Sequence, residues 1–296
     1  MDDVGSKLAP AGSVLVPGPL ASPWLFVHDD VRPHLHPVTT PAGHVLTCDA
    51  PADHPWHHAL WFTIKFVDGV NFWEQMGGEG DLRVTSPPMV VEYEAGPTVF
   101  STIEWVRPSS EVALLETLTI TAVAPIDPSW SVVDLAVTLV AERDVVLDRT
   151  PYTTWGGYGG LTFRGRADLV DTTFLRPDGT TIAKLVGDRS PWVAVTGTVP
   201  DPGHHDRVAT VGLAILDGAS PGERPVPWYG STKSPVYGTD GWSNFLNAAF
   251  LWDGPLVLNA GAPLDFRYRV IAHDGPVLAG ALDAELARYR SSLDVS

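Results

Sequence analysis

The chain runs to 296 residues and carries 19 basic against 35 acidic side chains, a formal charge of −16 with histidine neutral. That balance excludes a nucleic-acid grip, which needs clustered Lys and Arg against phosphate. Hydrophobic residues make up 44% and charged residues 18%, enough apolar material for a large core and too little charge for a disordered chain.

Glycine and proline, 28 and 27 residues, are spread along the chain rather than clustered. That is the composition of many strands joined by tight turns, and large β-sandwiches often run to roughly 250 residues as one unit. The expectation is therefore an arm over residues 1–20 and a single all-β domain over 21–296. The arm is rich in Pro, Gly and Ala and reads as loose. It has no basic stretch leading into an apolar segment, and no window approaches about 18 uninterrupted apolar residues, so neither a signal peptide nor a spanning helix is expected. A lone cysteine, Cys48, leaves no partner for an internal disulfide, and cytoplasmic residence is the simpler reading.

Seven of the ten histidines lie in the first 58 residues. His34-Leu35-His36 places two imidazoles on one strand face. In Asp53-His54-Pro55-Trp56-His57-His58, His54 and His58 share a side whether the backbone is extended or makes one helical turn. His58 also shares parity with Leu60 and Phe62, so alternation turns it inward. Burial would lower its pKa and keep it neutral, available as a base or a metal ligand. A hydrogen-bonded core histidine is the competing reading. A divalent metal on His36, His54, His58 and a carboxylate is a further reading, since imidazole and carboxylate suit first-row ions.

Asp68-Gly69 is a two-residue turn of the type I′ kind between Leu60–Val67 and Val70–Gln75. Alternation then sets Phe62, Ile64, Phe66 and Trp73 on a core face. Trp61, Lys65, Phe72 and Glu74 fall on the other, a solvent face or a pocket wall. From Val90 onward the period is close to two, with turns at Pro177-Asp178-Gly179, Asp253-Gly254-Pro255 and Asp274-Gly275-Pro276, and the whole reads as antiparallel β. Within strand 112–123, Glu116 has the parity of Leu114, Leu118 and Ile120. An unpaired carboxylate on an apolar face costs several kcal/mol, so it must be paired, protonated or metal-bound. This makes Glu116 a candidate base, with a buried bridge to Arg164 as the structural alternative. Asp134 and Glu104 read as solvated.

The loop Trp155-Gly156-Gly157-Tyr158-Gly159-Gly160 permits close backbone approach and leads into Arg164. It is not the strand-to-helix setting of a phosphate loop. Eleven tryptophans are many for this length. Trp56, Trp61, Trp73, Trp155, Trp228 and Trp242 sit beside polar residues, the pattern by which rings stack on pyranose C–H faces, although core packing explains many equally well. The last element expected is a helix over Gly280–Leu293, with Leu282, Leu286, Tyr289 and Leu293 at helical spacing.

Arg32-Pro33-x-Leu35-His36-Pro37, Asp53-His54-Pro55-x-His57-His58-x-Leu60-Trp61, Val70-Asn71-Phe72-Trp73, Glu116, Gly156-Gly157-x-Gly159-Gly160-Leu161-x-x-Arg164 and Phe266-Arg267-Tyr268-Arg269-Val270-x-x-His273-Asp274-Gly275 together resemble a bacterial family of unknown function (DUF6807), from about residue 20 to 290. Members are often labelled methane oxygenase (PmoA), after an integral membrane subunit. A chain without a spanning segment does not fit that label. The resemblance implies instead a large antiparallel β-sandwich similar to galactose mutarotase and related supersandwiches, with relatives encoded beside sugar-catabolic genes. The family's Asn before the later Trp is missing from Ser220–Trp228.

Mutarotase-type chemistry sets an acid and a base across a sugar ring, and Glu116 with His54 or His58 would meet that need. The leading expectation is thus an epimerase, lyase or hydrolase on a sugar or oxidised sugar. Its catalytic set is Glu116, His54 and His58, with Trp61, Lys65, Trp73, Glu74, Arg164 and Trp228 holding the carbohydrate. The alternatives are a non-catalytic sugar-binding module and a metalloenzyme or oxygenase built on the histidines.

Overall fold

Period-two alternation puts apolar side chains on one side of each strand, and the strands bury that side by stacking two sheets. A computed structural model describes residues 10–28, 32–93, 96–150, 158–201, 207–222, 224–232 and 243–294. An eight-stranded sheet runs in the order Ser13–Leu15, Leu25–Val27, His34–Leu35, Leu60–Ile64, Gly159–Arg164, Phe245–Ala248, Pro227–Ser231, Lys184–Arg189. The second sheet has ten strands, including Gly96–Val106, Val112–Val123, Trp130–Val140, Leu264–Asp274, Val208–Ala219 and Trp192–Pro200. A small four-stranded sheet joins Leu256–Leu258, Val145–Asp148, Phe66–Val67 and Val70–Asn71. The pairings between these strands are antiparallel, as expected of an all-β sandwich.

Cross-strand register shows how the core is built. Leu35, Leu60, Phe163, Leu246, Gly230 and Leu185 stand opposite one another in a row across the eight-stranded sheet. All five side chains in that row are hydrophobics at most 1% exposed, in one core cluster with Leu118, Leu135, Val137 and Val270 of the other sheet. Full burial of each such side chain stabilises the fold by about 1.5–3 kcal/mol. Gly230 interrupts the row for a steric reason: a Cβ there would lie 2.8 Å from the Phe174 ring of the opposing sheet.

The other face of the ten-stranded sheet is covered by helix Ala279–Leu293. Leu282 and Leu286 pack on Trp130, Trp192 and Ile271. Arg269 donates to both oxygens of Asp134 at 2.7 and 2.8 Å and to the buried Glu285 at 2.6 Å, with its guanidinium 4.5 Å from the Tyr289 ring centre. Asp134 is therefore not the solvated acid that its neighbours suggested. Burial pushes its pKa up, and Arg269 only partly opposes that.

Two local departures from strict alternation, at Lys65 and Ala59, shape the face described below. The Asp68-Gly69 turn forms with both residues at positive φ, 48° and 76°, and Val67 opposite Val70. The long strand before it, however, breaks at Lys65, so Phe72 enters the main core while Trp73 joins Trp61 on the opposite side. Ala59, at φ 52°, resets the parity between His58 and Leu60. Finally, Ser13–Leu15 of the expected loose arm pairs with Leu25–Val27 and extends the eight-stranded sheet. Among the described residues no helix is long and apolar enough to cross a membrane.

Candidate functional site

The outer face of the eight-stranded sheet is not apolar. Across it His34, Trp61, Thr162, Asn247 and Tyr229 stand opposite one another, each one residue away from a core-facing neighbour. Arg164, Phe245 and Ser231 form the next row. The segment 49–58 lies alongside, closed on itself by the Asp49–His58 bridge and held to the sheet through the preceding residue, where the Cys48 amide donates to the Arg164 carbonyl at 3.0 Å.

Arg164 organises one half of this face. Buried to 1% exposure, it donates to Asp53 Oδ2 at 2.7 Å and to His57 Nδ1 at 3.1 Å. Arginine only donates, so His57 Nδ1 is an acceptor and the ring is neutral with its proton on Nε2. Burial holds the His57 pKa well below its ordinary value, and the Arg164 charge lowers it further. Asp53 Oδ2 also binds His54 Nδ1 at 2.9 Å, and the His54 ring stacks on His57 at 4.6 Å. Burial raises the Asp53 pKa, but hydrogen bonds from His54 and Arg164 outweigh it and leave Asp53 an anion.

The second half centres on Asp49. His58 Nδ1 lies 2.9 Å from Asp49 Oδ1, and His34 Nε2 lies 3.6 Å from the same oxygen. Nitrogen and oxygen atoms of these three residues all fall within 4.8 Å of one another, in the geometry of a metal-ligand cluster. Burial pushes the Asp49 pKa up, yet the His58 hydrogen bond and the nearby imidazoles bring it below the usual range. His58 Nε2 meets the Gln75 side-chain amide at 3.1 Å. Gln75 in turn borders an open groove of about 340 Å³ with Arg32, Glu74, Gly77, Gly78 and Asp81.

Rings line the surface between these groups. Trp61 and Trp73 lie 5.5 Å apart, Trp73 stacks on Tyr158 at 4.6 Å, and Tyr158 meets Tyr229 edge-on at 5.9 Å. Trp56, Tyr158 and Tyr229 are only half-buried against Trp61, Trp73 and Phe245. Lys65 pairs with Glu74, whose other oxygen accepts from Asn71 at 2.7 Å. Two buried polar atoms on this face, Trp61 Nε1 and Asn247 Oδ1, have no hydrogen-bond partner among the described residues.

Of the expected residues, the structure brings His54, His58, Trp61, Lys65, Trp73, Glu74 and Arg164 to this face. It does not bring Glu116. That carboxylate points between the sheets with Leu114, Leu118 and Ile120, accepts from Trp105 Nε1 at 2.8 Å, and borders a cavity of about 20 Å³. A cavity of that size holds one water molecule and no sugar. The Glu116–His pair is thus split by the thickness of the sheet, and the alternative bridge to Arg164 is absent because Arg164 binds Asp53. Trp228 is also core, fully buried with Nε1 donating to the Ser190 carbonyl at 2.7 Å. The ring that strand presents to the site is Tyr229. His36 binds Thr47 Oγ1 at 2.9 Å and lies outside the three-residue cluster, its pKa lowered by burial against the pull of Asp49. Trp155, Gly156, Gly157 and Trp242 lie outside the described residues.

Sequence reasoning missed Asp49, His34 as a member of the cluster, His57 and Asn247. An acid nine residues before His58 was the available signal for Asp49. The family's sequence profile matches residues 23–287. The chain belongs to DUF6807, a family of unknown function. A search of curated proteins by sequence found no match to this DUF6807 chain. Among solved structures it is similar to a galactose mutarotase related enzyme from Lactobacillus acidophilus, at 8% identity over 88% of this chain and 97% of that one, with a TM-score of 0.45. It is also similar to a polysaccharide lyase at 13% identity over 91% of this chain, with a TM-score of 0.32. The DUF6807 chain spans 34% of that lyase.

Proposed function

We propose that the outer face of the eight-stranded sheet binds a sugar or an oxidised sugar and that His54 transfers a proton on it. The observation that carries this reading is the Arg164–Asp53–His54 chain of hydrogen bonds set beside half-buried aromatic rings. Asp53 fixes the His54 tautomer with the proton on Nδ1, which leaves Nε2 as the basic atom, and Arg164 fixes Asp53. Trp56, Tyr158 and Tyr229 offer ring faces to pyranose C–H groups, while the Lys65–Glu74 pair offers partners for hydroxyls.

Epimerisation, elimination and hydrolysis of such a substrate all require a positioned acid–base group, and His54 supplies it without Glu116. A non-catalytic sugar-binding module is the second reading, favoured by the rings alone. A cytoplasmic location accords with the lone Cys48.

Incubation with a panel of aldoses and keto-sugars in D2O, followed by proton NMR, separates the readings. Solvent deuterium entering the sugar, or a new sugar species appearing, and failing with His54→Ala supports the enzyme. Saturable binding without either supports the module. No binding of any sugar overturns both.

A further inference from the structure

We infer that His34, Asp49 and His58 form a binding site for one first-row divalent cation of the Zn2+, Fe2+ or Mn2+ class. His34 is the most constrained of the three. Its Nδ1 lies 2.8 Å from the Arg32 carbonyl oxygen, an acceptor only, so Nδ1 carries a proton and donates it. Nε2 faces the Asp49 carboxylate oxygen at 3.6 Å, and in the neutral tautomer with Nδ1 protonated it is the nitrogen that can ligate a metal. With His34 only 3% exposed, a buried imidazole nitrogen and a carboxylate oxygen thus stand side by side, a pair of ligand atoms that one cation would share.

The third donor is in place. His58, also 3% exposed, brings Nδ1 to 2.9 Å from the same Asp49 oxygen. Ligands at about 2.1 Å from one ion stand roughly 3.0–3.4 Å apart in octahedral or tetrahedral geometry. The two separations from Asp49, 2.9 and 3.6 Å, bracket that range, and the three ligand atoms lie within 4.8 Å of one another, so side-chain rotations bring them onto one ion. The backbone holding the ligands is fixed: His34 pairs with Trp61 in the sheet, and Asp49 pairs with His58.

The surrounding contacts are those of metal-ligating histidines. The Nδ1–H to carbonyl bond of His34 sets its tautomer and aims Nε2. On His58, ligation through Nδ1 moves the ring proton to Nε2, and the Gln75 side-chain amide 3.1 Å away accepts it once that amide turns its oxygen toward the ring. Two imidazoles and one carboxylate favour borderline first-row ions over Mg2+ or Ca2+, which take mainly oxygen ligands. Three protein ligands leave positions for water or for oxygens of a small molecule. This inference rests on the donor set alone and stands whether or not a sugar binds beside it.

The test uses the full chain, stripped with chelator and dialysed against Zn2+, Mn2+ or, anaerobically, Fe2+. One equivalent of at least one ion should be retained, with Asp49→Ala and His58→Ala lowering affinity at least 100-fold and His54→Ala leaving it unchanged. Should those variants not fold, the Co2+-loaded wild-type protein serves. Its proton NMR spectrum should show two paramagnetically shifted, exchangeable imidazole N–H signals, one for each ligand ring. No retained ion, retention undiminished in folded Asp49→Ala, or a cobalt spectrum lacking those signals overturns the proposal. Metal retention without sugar turnover would leave it standing while the proposed function fell.

Discussion

The interior between the sheets and the outer face of the eight-stranded sheet both bury carboxylates, and they treat them in opposite ways. Glu116 has one donor, Trp105, and apolar neighbours, and burial pushes its pKa up to about 8. Near neutral pH it is mostly a protonated, uncharged side chain. Asp49 and Asp53 are less deeply buried, but each meets imidazoles or a guanidinium that hold its pKa below the usual range. Burial alone therefore does not decide whether an acid in this protein carries a charge. The number of donors converging on it decides whether it is charged.

The largest effect that would break this comparison is on stability. A Glu116 pKa displaced from 4.5 to about 8 means that the folded state holds a proton which the unfolded chain releases. Stability therefore falls as pH rises from 4.5 to 8 and is flat above, a loss of about 5 kcal/mol in all. Glu116→Gln keeps the shape and still accepts from Trp105, but removes that loss. Urea unfolding should show little gain for the variant near pH 5 and a gain approaching 5 kcal/mol at pH 9. Its activity should equal that of the wild-type protein. A pH-independent difference, or an inactive but folded variant, would return Glu116 to the catalytic set.

On the outer face the same logic predicts the reverse pattern. His54→Ala should lower turnover by about 10²–10⁴-fold, or roughly 3–5 kcal/mol of transition-state stabilisation, with unfolding nearly unchanged. Asp53→Asn should lower turnover less while leaving Arg164 and His57 in place. Because Asp53 acts through His54, the pH dependence of the rate should move with the substitution. If Asp53→Asn left that profile untouched, the hydrogen-bond chain would be structural only.

Local features of these two regions were readable from sequence and non-local ones were not. The Asp68-Gly69 hairpin and the helix near Leu282 and Leu286 depend on a few consecutive residues, whose backbone preferences decide the outcome. Glu116 was correctly placed on an apolar face, because its strand alternates without interruption. Its pairing with His58 failed at one residue: the left-handed backbone at Ala59 resets the parity, and His58 leaves the core side that Leu60 and Phe62 occupy. The break at Lys65 likewise exchanged Phe72 and Trp73. Asp49 could not be found by spacing within one strand, since it reaches His58 across a bridge and His34 across the sheet.

The smallest effects sharpen the comparison at adjacent residues. Trp228 and Tyr229 point to opposite sides of one strand, the first into the core and the second to the outer rings. Trp228→Phe removes the donor to the buried Ser190 carbonyl and should cost about 1–3 kcal/mol of stability, with sugar affinity unchanged. Tyr229→Ala removes a half-buried ring face. It should weaken sugar binding by about 1 kcal/mol, near fivefold in Kd, with a smaller effect on unfolding than Trp228→Phe. Calorimetric titration and urea unfolding of both variants decide the matter. The assignment of the outer face as the binding surface requires the two effects to separate, one variant losing stability and its neighbour losing affinity. Loss of affinity in Trp228→Phe with none in Tyr229→Ala would put the ligand on the wrong side of the sheet for every residue assigned to it.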